Sequence, residues 1–193
     1  MAWYLNLTTG ALSLMSFASR RAASLVAKAN SANDPSKAYK LYRCAITIYG
    51  DLATRDRSCL PALAAAYNGA GNAQLLCFNL LPDDERNQTN SAASWFTQSA
   101  LSMFRESERI YRGLARAGGG YRENLAGVIS TIGNLAIATG DWPRAAVALN
   151  ESEQIYAGLA VHDPIYREDL DRVRSELSTV NARLRQGREA SAP

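Results

Sequence analysis

Residues 131–160 read TIGNLAIATGDWPRAAVALNESEQIYAGLA. The run Thr139–Pro143 (TGDWP) interrupts two otherwise helix-forming segments, and its Asp141 is placed to cap the helix that follows. The second segment closes on Ile155-Tyr156, a dipeptide that occurs twice more, at Ile48-Tyr49 and Ile110-Tyr111. The last two tyrosines are 45 residues apart and the first two are 62 apart.

Counting from each tyrosine exposes a repeat. Eleven residues before it stand Ala38, Ala100 and Ala145, and seven before it the large apolar Tyr42, Phe104 and Leu149. Four before it stand the small Ala45, Ser107 and Ser152, and just after it Leu52-Ala53, Leu114-Ala115 and Leu159-Ala160. Fourteen after it come Leu63, Leu125 and Leu170. At 22 and 23 after it come Gly71-Asn72, Gly133-Asn134 and Ser178-Thr179. Steps of three and four place these residues on one helical stripe. Large and small residues alternating on that stripe let neighbouring helices interlock.

Each copy therefore predicts a helix ending just past Leu-Ala, followed by a second helix bearing the Leu and the Gly-Asn. Ser31–Ser36 (SANDPS) is a second turn with a capping Asp, and Gly118-Gly119-Gly120 ends another helix. The reading is all-α, about seven helices, at roughly 10–31, 34–55, 59–78, 92–117, 121–139, 142–160 and 164–186. The longer interval is explained by an inserted polar loop at 81–94 (LPDDERNQTNSAAS).

Ile132-Gly133-Asn134, Gly140-Asp141-Trp142-Pro143-Arg144-Ala145, Leu149 and Ser152 together resemble the tetratricopeptide (TPR) consensus. That consensus has an apolar-Gly-Asn on its first helix, a Gly-Asp-aromatic turn, then Ala, a large residue and a small one. Ala70-Gly71-Asn72 with Ala100, Phe104 and Ser107 is similar, split by the insertion, and residues 22–45 match more loosely. The 45-residue period exceeds the family's ~34 and is similar to the longer repeats of kinesin light chains and many bacterial regulators. The resemblance implies an antiparallel helix-pair solenoid with a right-handed superhelix. It implies one domain over 1–193, with units at about 10–55, 59–117 and 121–160 and a polar capping helix at 164–186.

In that family the first helix of each pair lines a concave groove for a partner protein or peptide. The groove positions here are Asn68, Asn72, Ser130 and Asn134, with Ala65 and Gly127 one turn further back. Asn68 and Asn72, at i and i+4, put two amides on one face, able to pair with a peptide backbone without reading its sequence. Arg20 and Arg172 fall at the two ends of the same lane and could grip a carboxylate. The bland alternative is that these asparagines bond within the repeat. Tyr49, Tyr111 and Tyr156 read as core, Trp142 as packing at the repeat interface, and Trp95-Phe96 as core or as an exposed anchor.

Other features exclude function classes. His162, the one histidine, lies in a turn with no Cys or carboxylate spacing that suggests a metal, and no nucleophile elbow, P-loop or dinucleotide fingerprint occurs. No enzyme, metal or cofactor is expected. A net charge of +3 and pI near 8.8 are not those of a dedicated nucleic-acid binder. Cys44, Cys59 and Cys77 form no disulfide framework, which suits a reducing, cytoplasmic setting, although the acid-poor start leaves organellar import open. No apolar run reaches the ~18–20 residues of a membrane span.

The leading expectation is an interaction scaffold or adaptor. A regulatory sensor of a short peptide or small ligand, or a noncatalytic nucleic-acid-associated subunit using the Arg-rich end, are the alternatives. Trp3, Tyr4 and Leu7 fall in register with the Ile-Tyr-x-x-Leu helix end. This points to a truncated earlier unit whose exposed N-terminal face would drive self-association.

Overall fold

The computed structural model describes residues 2–86, 92–118 and 120–189, with burial described from Met15 onward. Among them are eight α-helices and no strand. They are α1 (Ala2–Asn30), α2 (Pro35–Ala53), α3 (Leu60–Asn79), the single turn α4 (Asp83–Arg86), α5 (Ala92–Arg116), α6 (Arg122–Ala138), α7 (Trp142–His162) and α8 (Arg167–Glu189). The seven long helices follow the sequence periodicity closely. α1 starts earlier than expected, at Ala2. Its lone Gly10 weakens a helix by about 1 kcal/mol, too little to end one that is otherwise uninterrupted. The expected loop at 81–94 holds α4, and its residues 87–91 lie outside the described residues, as does Gly119. So do the side chains of Trp3, Tyr4 and Leu7.

The turns are built as the sequence indicates. Asp34 caps α2, accepting from the Ser36 amide at 2.8 Å, and Asp141 caps α7, accepting from the Arg144 amide at 3.2 Å. Pro follows each cap inside the first turn, where its missing N–H is not needed. Gly140 leaves α6 at φ +73°, a left-handed conformation that favours glycine. Two 3₁₀ turns, Arg57–Cys59 and Pro164–Tyr166, lead into α3 and α8 and are capped by Asp56 and Asp163.

The chain divides into two compact units, residues 1–107 and 108–193. In the first, α1 packs on α2, α2 on α3, and α3 on the N-terminal part of α5. In the second, α6 packs on α7 and α7 on α8. Short turns make successive helices antiparallel, so each unit is a stack of helix hairpins: a helical-repeat fold.

The repeat stripe forms the core. Ala45, Ala100, Phe104, Ala145 and Leu149 are wholly buried, and Tyr49, Tyr111 and Tyr156 are buried as well. A Cβ on Gly71 would stand 2.5 Å from the Phe104 ring, and one on Gly133 would stand 2.8 Å from Leu149. The large residue of one helix thus seats against bare backbone on the helix before it. Four residues before the tyrosine, the buried Ser107 hydroxyl donates to the Ala64 carbonyl and the buried Ser152 hydroxyl to the Ala126 carbonyl, both at 2.9 Å. Ala64 and Ala126 occupy the same repeat position, so the same hydrogen bond recurs inside each unit. Ala45 holds that place in the first copy and cannot make it. Cys44, Cys59 and Cys77 are free thiols, respectively exposed, half-buried and buried.

Candidate functional site

The groove candidates of α3 and α6 fall on one stripe of each helix, exposed at Ala65, Asn72 and Glu123, half-buried at Asn68, Gly127 and Asn134, and buried at Ser130. On α6 that stripe is Glu123, Gly127, Ser130 and Asn134, spaced by four, three and four. On α3 it is Ala65, Asn68 and Asn72, and the same spacing carries it on through Leu76 to Leu80.

In the second unit the stripe is engaged. α8 lays Asp169, Arg172 and Glu176 along α6, themselves spaced by three and four. Asn134 donates its amide to Glu176 Oε1 at 3.1 Å. Arg172 donates to Asp169 at 2.7 Å and to Ser130 Oγ at 3.5 Å, and pairs with Glu176 at 3.6 Å. The hydrogen bond to Asp169 holds the Arg172 guanidinium firmly charged, raised above its ordinary value. At the helix starts the Tyr166 hydroxyl donates to Glu123 at 3.0 Å. That bond raises the Tyr166 phenol.

The Tyr156 hydroxyl reaches the same ladder from the core, beside Gly127, where an added Cβ would lie 3.5 Å away. Burial first, then the nearby Asp169 charge, push this phenol up to about 12. One carboxylate oxygen here, Glu176 Oε2, is buried without a hydrogen-bond partner. An open cleft of about 540 Å³ lies over the starts of α6 and α8, lined by Glu123, Tyr166, Glu168, Asp169 and Arg172 among others.

In the first unit the stripe is open. Asn68 Oδ1 is a buried atom with no hydrogen-bond partner, and Asn72 is exposed with none. Leu76 and Leu80 follow at 54% and 73% exposure, large values for leucine one and two turns beyond paired amides. Arg20 is exposed on α1, and its Nε donates to the Ser16 carbonyl one turn back at 3.3 Å. The structure therefore brings Ser130, Asn134 and Arg172 together, sets Asn68 and Asn72 side by side, and leaves Arg20 bonded to its own helix.

A half-buried polar cluster also ties α2, α3 and α5 together in this unit. The Tyr39 hydroxyl and Ser99 Oγ are 3.4 Å apart, and Arg43 donates to Tyr39 at 3.3 Å. Burial pushes the Tyr39 phenol up, but hydrogen bonds with Ser99, Arg43 and Gln74 outweigh it and leave it below its ordinary value. Trp95 is exposed, at 57%, with its edge on Phe96 at 5.1 Å. The core reading of Trp95 therefore fails. The buried stripe of α5 runs through Ala93, Ala100 and Phe104, and two residues past Ala93 is about 200° around the helix.

Sequence reasoning missed the α8 carboxylates and Tyr166. A signal was available: Tyr121-Arg122-Glu123-Asn124-Leu125 recurs as Tyr166-Arg167-Glu168-Asp169-Leu170, 45 residues on. Tyr121 stacks on Tyr111 with ring centres 6.1 Å apart, whereas its counterpart Tyr166 takes a hydrogen-bonding role.

Among the described residues no three His, Cys, Asp or Glu side chains group to hold a metal ion. No helix there is long and apolar enough to cross a membrane. No protein-family model matches the chain, and no curated protein matches it. Among solved structures it is similar to the de novo designed helical repeat protein DHR64, at 17% identity and a TM-score of 0.43, over 94% of this chain and 85% of that one. It is also similar to the DHF119 filament, at 17% identity and a TM-score of 0.40, over 92% of this chain and 84% of that one.

Proposed function

We propose that this chain is a TPR-type scaffold or adaptor that binds a partner protein or peptide along the exposed stripe of α3, with no catalytic step and no cofactor. The observation that carries the proposal is the α3 stripe. Asn72 is exposed with no partner, and Leu76 and Leu80 follow it at 54% and 73% exposure, apolar surface that association would remove from water. The seating of Phe104 on Gly71 and of Leu149 on Gly133 supports the TPR assignment. So do the small buried residues four before each tyrosine. On this reading the repeat units run at about 10–55, 59–117 and 121–160, α8 is the polar cap, and the protein works in the cytoplasm.

A second reading is favoured by one feature. The cleft over the starts of α6 and α8 would suit a sensor that takes a small basic ligand there.

The test is capture of partners from native lysate by the wild-type chain and by Asn68→Ala/Asn72→Ala, followed by rebinding of each identified partner as a purified protein. Direct rebinding to wild type and loss with an equally helical variant is the expected result. Partners that rebind both chains equally would remove the stripe from the binding site.

A further inference from the structure

We infer that copies of this chain join head to tail, the basic outer face of α1 on one copy meeting the amphipathic cleft over the starts of α6 and α8 on the next. This goes beyond the partner-binding reading on α3 and does not rest on it.

The charge of the chain is divided along its length. No acidic residue occurs before Asp34, so α1 has none. Residues 1–50 hold six Lys and Arg against that one Asp, a charge of +5, and the chain's net +3 leaves −2 for residues 51–193. A solvated helix ordinarily mixes both signs.

On α1 the cations share one face with an aromatic ring. Phe17, Arg21, Ser24 and Lys28 are spaced by four, three and four, which keeps them within about 60° of one another over about 16 Å of helix. All four are exposed, Phe17 at 62%, and Arg20 is exposed beside them. They point away from the buried Ala22 and Ala29. Arg20, Arg21 and Lys28 form no ion pair among the described residues.

The complementary face lies in the second unit. Four carboxylates, Glu123, Asp163, Glu168 and Asp169, line the cleft of about 540 Å³ with a single cation, Arg172. That cation is already held by Asp169 and Glu176. Ile165 belongs to the same lining at 72% exposure, so the cleft offers apolar surface to Phe17 and carboxylates to the guanidinium forks of Arg20 and Arg21. Glu168 forms no ion pair among the described residues.

A second copy is the occupant because each copy carries both faces. Basic face against basic face repels, as does cleft against cleft, so complementary charge selects the unlike pairing. Two unlike surfaces make a heterologous contact, which repeats from copy to copy as a ring or a chain. Each face lies wholly inside one compact unit.

The experiment is sedimentation of the full chain at low and high salt, for wild type, Arg21→Gln/Lys28→Gln and Ile165→Ser/Glu168→Gln. All four positions are exposed, and thermal melts by circular dichroism check that the variants fold. The expected result is a wild-type oligomer that salt dissociates, with about tenfold weaker association in each variant alone. An equimolar mixture of the two variants retains one intact face of each kind and should stop at a one-to-one heterodimer. A monomeric wild type at low salt would overturn the inference, as would an oligomer that either variant leaves unchanged or a mixture that forms no heterodimer. A monomeric wild type that instead sediments with vesicles of phosphatidylserine and phosphatidylcholine, and loses them in Arg21→Gln/Lys28→Gln, would assign the α1 face to an anionic lipid surface.

Discussion

The first helix of the pair is built alike in the two compact units, yet its outward stripe is treated differently in each. On α6 the amide of Asn134 is held by Glu176, and Ser130 accepts from Arg172. On α3 the equivalent Asn72 stands in the open, and the stripe runs on into two exposed leucines. The inner faces do not differ. Gly71 receives Phe104 as Gly133 receives Leu149, and Ser107 and Ser152 make the same bond at the same length. Packing is constrained by the repeat, because a core position has a fixed volume to fill. An outward position is free to become an internal tether or a contact for something else.

The largest expected effect tests whether the inner faces are equivalent. Gly71→Ala and Gly133→Ala each drive a methyl into a buried side chain and should each lose about 2–3 kcal/mol in urea unfolding, against a small gain in helix propensity. Gly127→Ala, whose new methyl would meet only the Tyr156 hydroxyl at 3.5 Å, should be near neutral. A tolerated Gly71→Ala beside a damaging Gly133→Ala would break the equivalence.

A difference in pH response comes next. The Tyr156 phenol lies near 12 in the fold and near 10 in an unfolded chain. Its raised value favours the folded state below pH 10, and that contribution is lost as pH climbs from 10 to 12. The loss is about 2 kcal/mol. Chemical denaturation across this window should show a steeper decline in wild type than in Tyr156→Phe. Equal slopes would mean the hydroxyl is not held in the ladder.

Ser107→Ala and Ser152→Ala should each cost about 1 kcal/mol, since each removes one buried neutral hydrogen bond. Matching shifts in the urea midpoint would sharpen the comparison, and unequal ones would show that one unit relaxes around the loss.

The smallest effect separates the outward faces. Asn134→Ala should cost about 0.5–1 kcal/mol because it unties Glu176, while Asn72→Ala should leave stability within about 0.3 kcal/mol. An equal cost at both positions would erase the distinction between tether and open contact.

Legibility followed the range of the interaction. The helices, their caps at Asp34 and Asp141, and the buried stripe through Ala145, Leu149, Ser152 and Tyr156 were readable in the chain. Each depends on neighbours three or four residues away or on a local turn. The same arithmetic put the groove positions on one stripe of each helix, exposed at Asn72 but buried at Ser130. Their occupancy was not readable. Asn134 and Asn72 follow Gly in the same way, and only one of them is met, by a carboxylate 42 residues further on. Trp95 was ambiguous because two residues decide between core and surface on a helix, and the start of α5 was not fixed by any cap.

The sequence by itself determined an all-helical repeat with small-against-large packing, because periodicity and turn chemistry are local and recur every unit. Only the tertiary structure decided that the second unit's polar stripe is tied to α8 while the first unit's is left open toward Leu76 and Leu80. The physical reason is that an amide's partner is chosen by which helix folds against it, and that choice is made across distances no periodicity encodes.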